Sequence, residues 1–211
     1  MSADHQEFAL RAHSHSWLLV ADNLHEQAIA LYSRREHGDL IVLGGAHKAR
    51  SRISLSNRAT FLLCGFALEN VLKGFLVFEH PEWVSNGTLS KRLRTHSLTS
   101  LASASNLAPR RVRAGPVLRE FERGLESWAR YPCALTENES EPEQSLTPQV
   151  WQHYLVLAKA YGRDLMVLLH RGWEGPHGVN GYFTFTGSYL GATSRSTGSL
   201  GNRQRPGQKK A

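Results

Sequence analysis

A chain of 211 residues and 23.6 kDa suits one domain carrying a tail, and a compact chain of that size buries about 70% of the surface its unfolded form exposes. Two cysteines, Cys64 and Cys133, exclude a disulfide scaffold and a multi-cysteine zinc site. The net charge is +7 but unevenly spread: all 18 acidic residues precede residue 176, where 20 lysines and arginines leave the body at +2, and 176–211 adds five basic residues and no acid.

The N-terminal stretch holds Asp4, Glu7 and the histidines His5, His13 and His15 instead of an apolar signal core. No run of about 18 uncharged apolar residues occurs, so no membrane span is expected and a reducing cytoplasm is the expected compartment. Over 15–35, Trp17, Val20, Ala21, Leu24, Ala28 and Leu31 recur at three- and four-residue steps, which predicts a first amphipathic helix. Gly44-Gly45 is a turn signal without the pattern of a phosphate loop. The segment 57–78 is apolar nearly all round, as a helix at the centre of a bundle must be, and Glu69 and Lys73 stand four apart in the order that favours a helical pair.

A short helix is expected from Ser97 to about Asn106, with His96 placed to cap or hydrogen-bond its start. Gly115-Pro116 then reads as a break before an amphipathic stretch carrying Val117, Phe121, Leu125 and Trp128, which Arg130-Tyr131-Pro132 ends. The acidic run 137–143 reads as an exposed loop. The last helix begins at Thr147-Pro148, a capping hydroxyl followed by a first-turn proline, and stops at Arg171-Gly172. No alternating pattern of comparable length competes. These elements predict an all-α fold: a bundle domain over 1–175 and a Gly/Ser/Arg-rich tail over 176–211.

The tail's composition cannot bury enough apolar surface to offset ordering, so most of it is expected to be disordered. Its aromatic run, Gly181 to Thr186, suits a short strand, a docking peptide or a platform for bases beside the tail's arginines. Residues 83–119 contain Lys91, Arg92, Arg94, Arg110, Arg111, Arg113 and Arg119 and no acid. Such a block holds a phosphate backbone if folding gathers it on one face, and otherwise forms separate solvated turns.

Eleven histidines raise a metal site, but His13 and His15, two apart, point roughly 200° apart on a helix, and no carboxylate or cysteine completes a set. Surface histidines, no metal and no cofactor are expected. Cys64, among leucines and phenylalanines, reads as an inert buried thiol. One pair suits RNA chemistry. Arg163 and His170 lie nearly two helical turns apart, on one side and about 10 Å apart along the axis. Arginine can hold a scissile phosphate, histidine can move a proton near neutral pH, and Asp164 can orient the arginine. The alternative is a helix-end histidine meeting the carbonyl dipoles.

Two segments resemble a known superfamily. Ala67-Leu68-Glu69-Asn70-Val71-Leu72-Lys73-Gly74 resembles the long helix of HEPN-type domains, and Thr95-His96-Ser97-Leu98 resembles the start of their next helix. The resemblance spans roughly 56–172. It implies a four- or five-helix bundle that dimerises, belongs to bacterial toxin–antitoxin or defence systems, and often cleaves RNA without a metal. The family's signature is Arg, a polar residue, then His after four to six intervening positions, and Arg163, Asp164 and His170 fit it at its longest spacing. Two functions follow. One is such an endoribonuclease. The other is a non-catalytic helical module that binds RNA or a protein partner, such as an antitoxin, through its basic surfaces.

Overall fold

A computed structural model describes residues 3–34, 37–42, 49–111, 114–131 and 143–193. In chain order they form α1 (Ala3–Arg11), α2 (Ser14–Ser33), β1 (His37–Val42), β2 (Ala49–Ser54), α3 (Asn57–Glu79), α4 (Leu98–Ala104), α5 (Ala114–Glu126) and α6 (Pro148–Arg171). Four two-residue strands follow: β3 (Trp173–Glu174), β4 (Asn180–Gly181), β5 (Ser188–Tyr189) and β6 (Ala192–Thr193). Helix predominates among the described residues, where the strands make only two-stranded antiparallel pairs. The protein is mostly helical, as its periodicity predicts.

Burial concentrates on α3. Phe61, Cys64, Leu68, Val71, Leu72, Phe75 and Leu76 are all withdrawn from solvent, and α2, α4, α5 and α6 each pack against this helix. A helix apolar on every side has no face to give to water, so its neighbours must surround it. Among the described helices α3 alone has the length and mean hydropathy, 1.7, to cross a bilayer, but 72% of that window is buried inside the protein. It meets two other helices closely at Gly74. A Cβ there would stand 2.8 Å from Leu165 Cδ2 of α6 and 3.5 Å from the Ser14 carbonyl of α2. The Ser14 hydroxyl donates to the Gly74 carbonyl at 2.7 Å, fastening the contact.

The helix ends follow local chemistry. Thr147 Oγ1 accepts from the Val150 amide at 3.2 Å, Pro148 occupies the first turn of α6, and Gly172, at φ 105°, closes it. Ser97 caps α4 by accepting from the Ser100 amide. The Gly115-Pro116 break is corrected: α5 opens at Ala114, and both residues sit inside its first turn, where proline's missing N–H has no helical partner to lose.

Two elements lie outside the helical expectation. α1 precedes α2, and β1 pairs with β2 from His37↔Ser54 to Val42↔Ala49. Those six-residue strands mix glycine, aspartate, arginine and serine with the apolar residues, so no alternation marks them. Gly44-Gly45, the acidic stretch 137–142, Cys133, Arg113 and 194–211 lie outside the described residues.

The tail boundary also needs correction. Residues 173–193 form an arm that folds back across the helices, with Trp173, Val179, Leu190 and Ala192 buried. Trp173 Nε1 donates to the Val77 carbonyl at 3.1 Å, and the Phe183 amide donates to the Leu169 carbonyl at 3.1 Å. Leu190 holds φ at 52°, a left-handed conformation uncommon for leucine. Its burial and an amide hydrogen bond to Asp22 Oδ1 at 2.7 Å hold it there.

Candidate functional site

α6 presents one solvent-facing stripe that includes Val156, Lys159, Arg163, Val167 and His170, all exposed. Arg163 and His170 therefore share a face, as their spacing requires, and neither enters the core. Arg163 donates from Nε and Nη2 to the same Asp164 oxygen, at 2.6 and 2.5 Å. That carboxylate orients the guanidinium and also competes with any phosphate for it. His170 Nδ1 meets the Phe183 carbonyl at 3.3 Å. A carbonyl only accepts, so this contact places a proton on Nδ1. The arm thus orients the imidazole. The aromatic run around Phe183 signalled a docking peptide, but its target was not readable.

A second constellation joins α3 to the start of α4. Glu69, 4% exposed, accepts from Lys73 Nζ at 2.5 Å through Oε1 and from His96 Nδ1 at 2.9 Å through Oε2. The expected helical pair is present. His96, however, does not cap α4; Ser97 does, and His96 turns back to the buried carboxylate. Glu69 needs both donors, because a buried carboxylate with an unfilled oxygen is costly. His96 remains half exposed. Across from it Glu122 accepts from the Thr99 amide and hydroxyl, and Glu126 is raised above the ordinary glutamate range by burial and by the charge of Glu122, with His96 opposing.

The basic block divides into two places. Lys91 and Arg92 lie in a short 3-10 turn that Arg94 follows; Arg92 stacks 5.2 Å from the Trp83 ring and Arg94 donates to the Leu89 carbonyl at 3.0 Å. Arg92 lines a cavity of about 360 Å³ with His80, Trp83 and Ser100. Arg110 and Arg111 line a different cavity, of about 470 Å³, together with Arg119. α4 stands between them, giving Ser100 to one and Thr99 and Ser103 to the other. The block is therefore not one continuous cluster.

The expectation of surface histidines is also corrected. His13 is buried against Trp173 and Phe183, with ring centroids at 4.0 and 4.7 Å, and His15 stacks on Phe183 at 4.5 Å. Burial, and then the neighbouring His15, lowers His13 to about 4. His25 is buried too, its Nδ1 2.8 Å from the Tyr154 hydroxyl. Burial raises Cys64 well above the ordinary thiol range, consistent with an inert core thiol. Among the described residues no three His, Cys, Asp or Glu side chains converge as a metal would need.

Comparison with family models, with curated proteins and with solved structures finds no match to this chain.

Proposed function

We propose that the protein is a HEPN-like helical bundle that cleaves RNA without a metal ion, using Arg163 and His170 on the outer face of α6. The observation that carries this reading is their joint exposure on one face, with the His170 imidazole held through Nδ1 by the Phe183 carbonyl. In the reaction His170 Nε2 takes the proton of a ribose 2′-hydroxyl. The freed oxygen attacks the adjacent phosphorus and the 5′-oxygen departs, leaving a cyclic phosphate. Arg163 offsets charge growing on the non-bridging oxygens. The departing oxygen needs a proton, which the same histidine of a second copy supplies. Exposed Val156 and Val167 on this stripe suit helix-to-helix contact in such a homodimer. The setting is a cytoplasmic defence or toxin–antitoxin system.

Incubating the purified protein with total RNA in chelator tests the reading. Cleavage is expected, and His170→Ala should lower it at least about 100-fold while leaving the circular dichroism spectrum and oligomeric state unchanged. Cleavage by that variant at the original rate removes the assignment.

A second reading is favoured by Asp164, which already occupies two nitrogens of the Arg163 guanidinium. On that reading the protein is a non-catalytic module for RNA or for a protein partner such as an antitoxin. RNA held by its basic surfaces then weakens steeply as salt rises, without cleavage.

A further inference from the structure

The cavity between α4 and α5 has features that the face of α6 does not use. Arg110, Arg111 and Arg119 form its rim, each exposed, and no acidic residue lines it. None of the three has an ion-pair partner among the described residues. Arg119 folds back over the first turn of α5, its Nη1 3.5 Å from where a Gly115 Cβ would stand. Below the rim the wall is apolar, formed by Ala114 and Leu118 among others.

The floor carries the second observation. Tyr161, from α6, is 1% exposed and lines this cavity; its hydroxyl makes no hydrogen bond with another described residue and is not sealed from solvent. Burial pushes that phenol up to about 12, so it remains a donor at any physiological pH. A buried tyrosine usually finds a partner for its hydroxyl. The other hydroxyl protons are spent, since Ser103 donates to the Thr99 carbonyl and Thr99 to Glu122.

We propose that this cavity binds a nucleoside phosphate, with the phosphate on Arg110, Arg111 and Arg119 and the nucleoside against Leu118 and the Tyr161 hydroxyl. About 470 Å³ is more than a bare phosphate needs and falls within the range of small-molecule sites. Arginine guanidinium groups match phosphate oxygens in pairs, and the phenol supplies one directional hydrogen bond to the sugar or base. The ligand is either a free nucleotide or the phosphorylated end of an RNA strand. The site stands apart from the proposed cleavage face: Tyr161 and Arg163 are two residues apart, about 200° around the helix, so they look to different sides of α6.

The test is calorimetric titration of the full chain with the four nucleoside 5′-monophosphates, with inorganic phosphate, and with a short RNA bearing a 5′-phosphate or a 5′-hydroxyl. At least one monophosphate should bind once per chain, about tenfold or more tighter than inorganic phosphate. Arg111→Ala and Arg119→Ala should each weaken it about tenfold, and Tyr161→Phe about threefold, at unchanged melting temperature. These arginines are exposed and the phenylalanine keeps the ring, so all three variants are expected to fold. Displacement of the mononucleotide by the 5′-phosphorylated RNA identifies a strand end, and failure to displace it identifies a free nucleotide; either keeps the site. His170→Ala retains the binding whatever the cleavage assay shows. The proposal falls if no monophosphate saturates, if inorganic phosphate binds as tightly, or if the arginine and tyrosine variants bind like the parent.

Discussion

The core around α3 and the arm over 173–193 are held by different physics. α3 is surrounded on every side and loses its phenylalanines and leucines to neighbouring helices, so its stability is a sum of many undirected contacts. The arm adds apolar anchors of its own, Trp173, Val179, Leu190 and Ala192. It is also fixed by directed contacts: Trp173 Nε1 to the Val77 carbonyl, the Leu190 amide to Asp22, and Phe183 against the rings of His13 and His15. Undirected burial tolerates rearrangement, whereas a contact set of this kind is lost when one partner changes charge or shape. The arm is therefore expected to loosen before the helices do, and it touches His170.

The difference is open to measurement. Phe75→Ala removes a fully buried ring and should cost about 3–5 kcal/mol in chemical denaturation, a large share of the roughly 5–15 kcal/mol that holds a typical domain. Helical signal and amide protection of the arm should vanish together, because the arm docks on the core. A loss under about 1 kcal/mol would displace α3 from the centre. Gly162→Ala should separate the two regions. Its Cβ would stand 2.8 Å from the Tyr189 carbonyl oxygen and from Leu190 Cβ, a clash worth about 1–3 kcal/mol that falls on the arm. Hydrogen exchange over 188–193 should speed up while thermal melting of the helices stays near that of the parent.

The remaining effect is with pH. His13, lowered to about 4 from an unfolded value near 6.5, stays neutral in the folded protein while the unfolded chain takes up a proton. Between those values the unfolded state binds more protons, so this contribution is whole above about pH 6.5 and declines as pH falls toward 4. His15 and His25, both lowered first by burial, act in the same sense, with Asp22 opposing at His25. Exchange at 173–193 should quicken across that window before the helices melt, and His13→Gln should flatten the dependence. An unchanged slope in that variant would assign it to other groups.

Much of the site was legible in part. Periodicity put Arg163 and His170 on one face because a helix repeats every 3.6 residues whatever surrounds it. The same reasoning placed Glu69 beside Lys73. It could not show that His96 would leave its own helix start for Glu69, a partner 27 residues earlier in the chain. Nor could it divide the basic block, since the separation of Arg92 from Arg110 and Arg111 depends on where α4 lies. Tyr161 read only as one more residue of the last helix, and nothing local says that its hydroxyl opens into a cavity.

By itself the amino-acid order settled the helical class, the central place of 57–78, and the cap at Thr147, because hydrophobic period and hydroxyl capping act within a few residues. Tertiary structure alone decided that 173–193 folds, that His13 and His25 are buried, and which polar atoms meet across the helices. Those outcomes depend on surfaces contributed by segments far apart in the chain, and the free energy that orders this glycine-rich arm comes from the helices against which its aromatic and aliphatic side chains are buried.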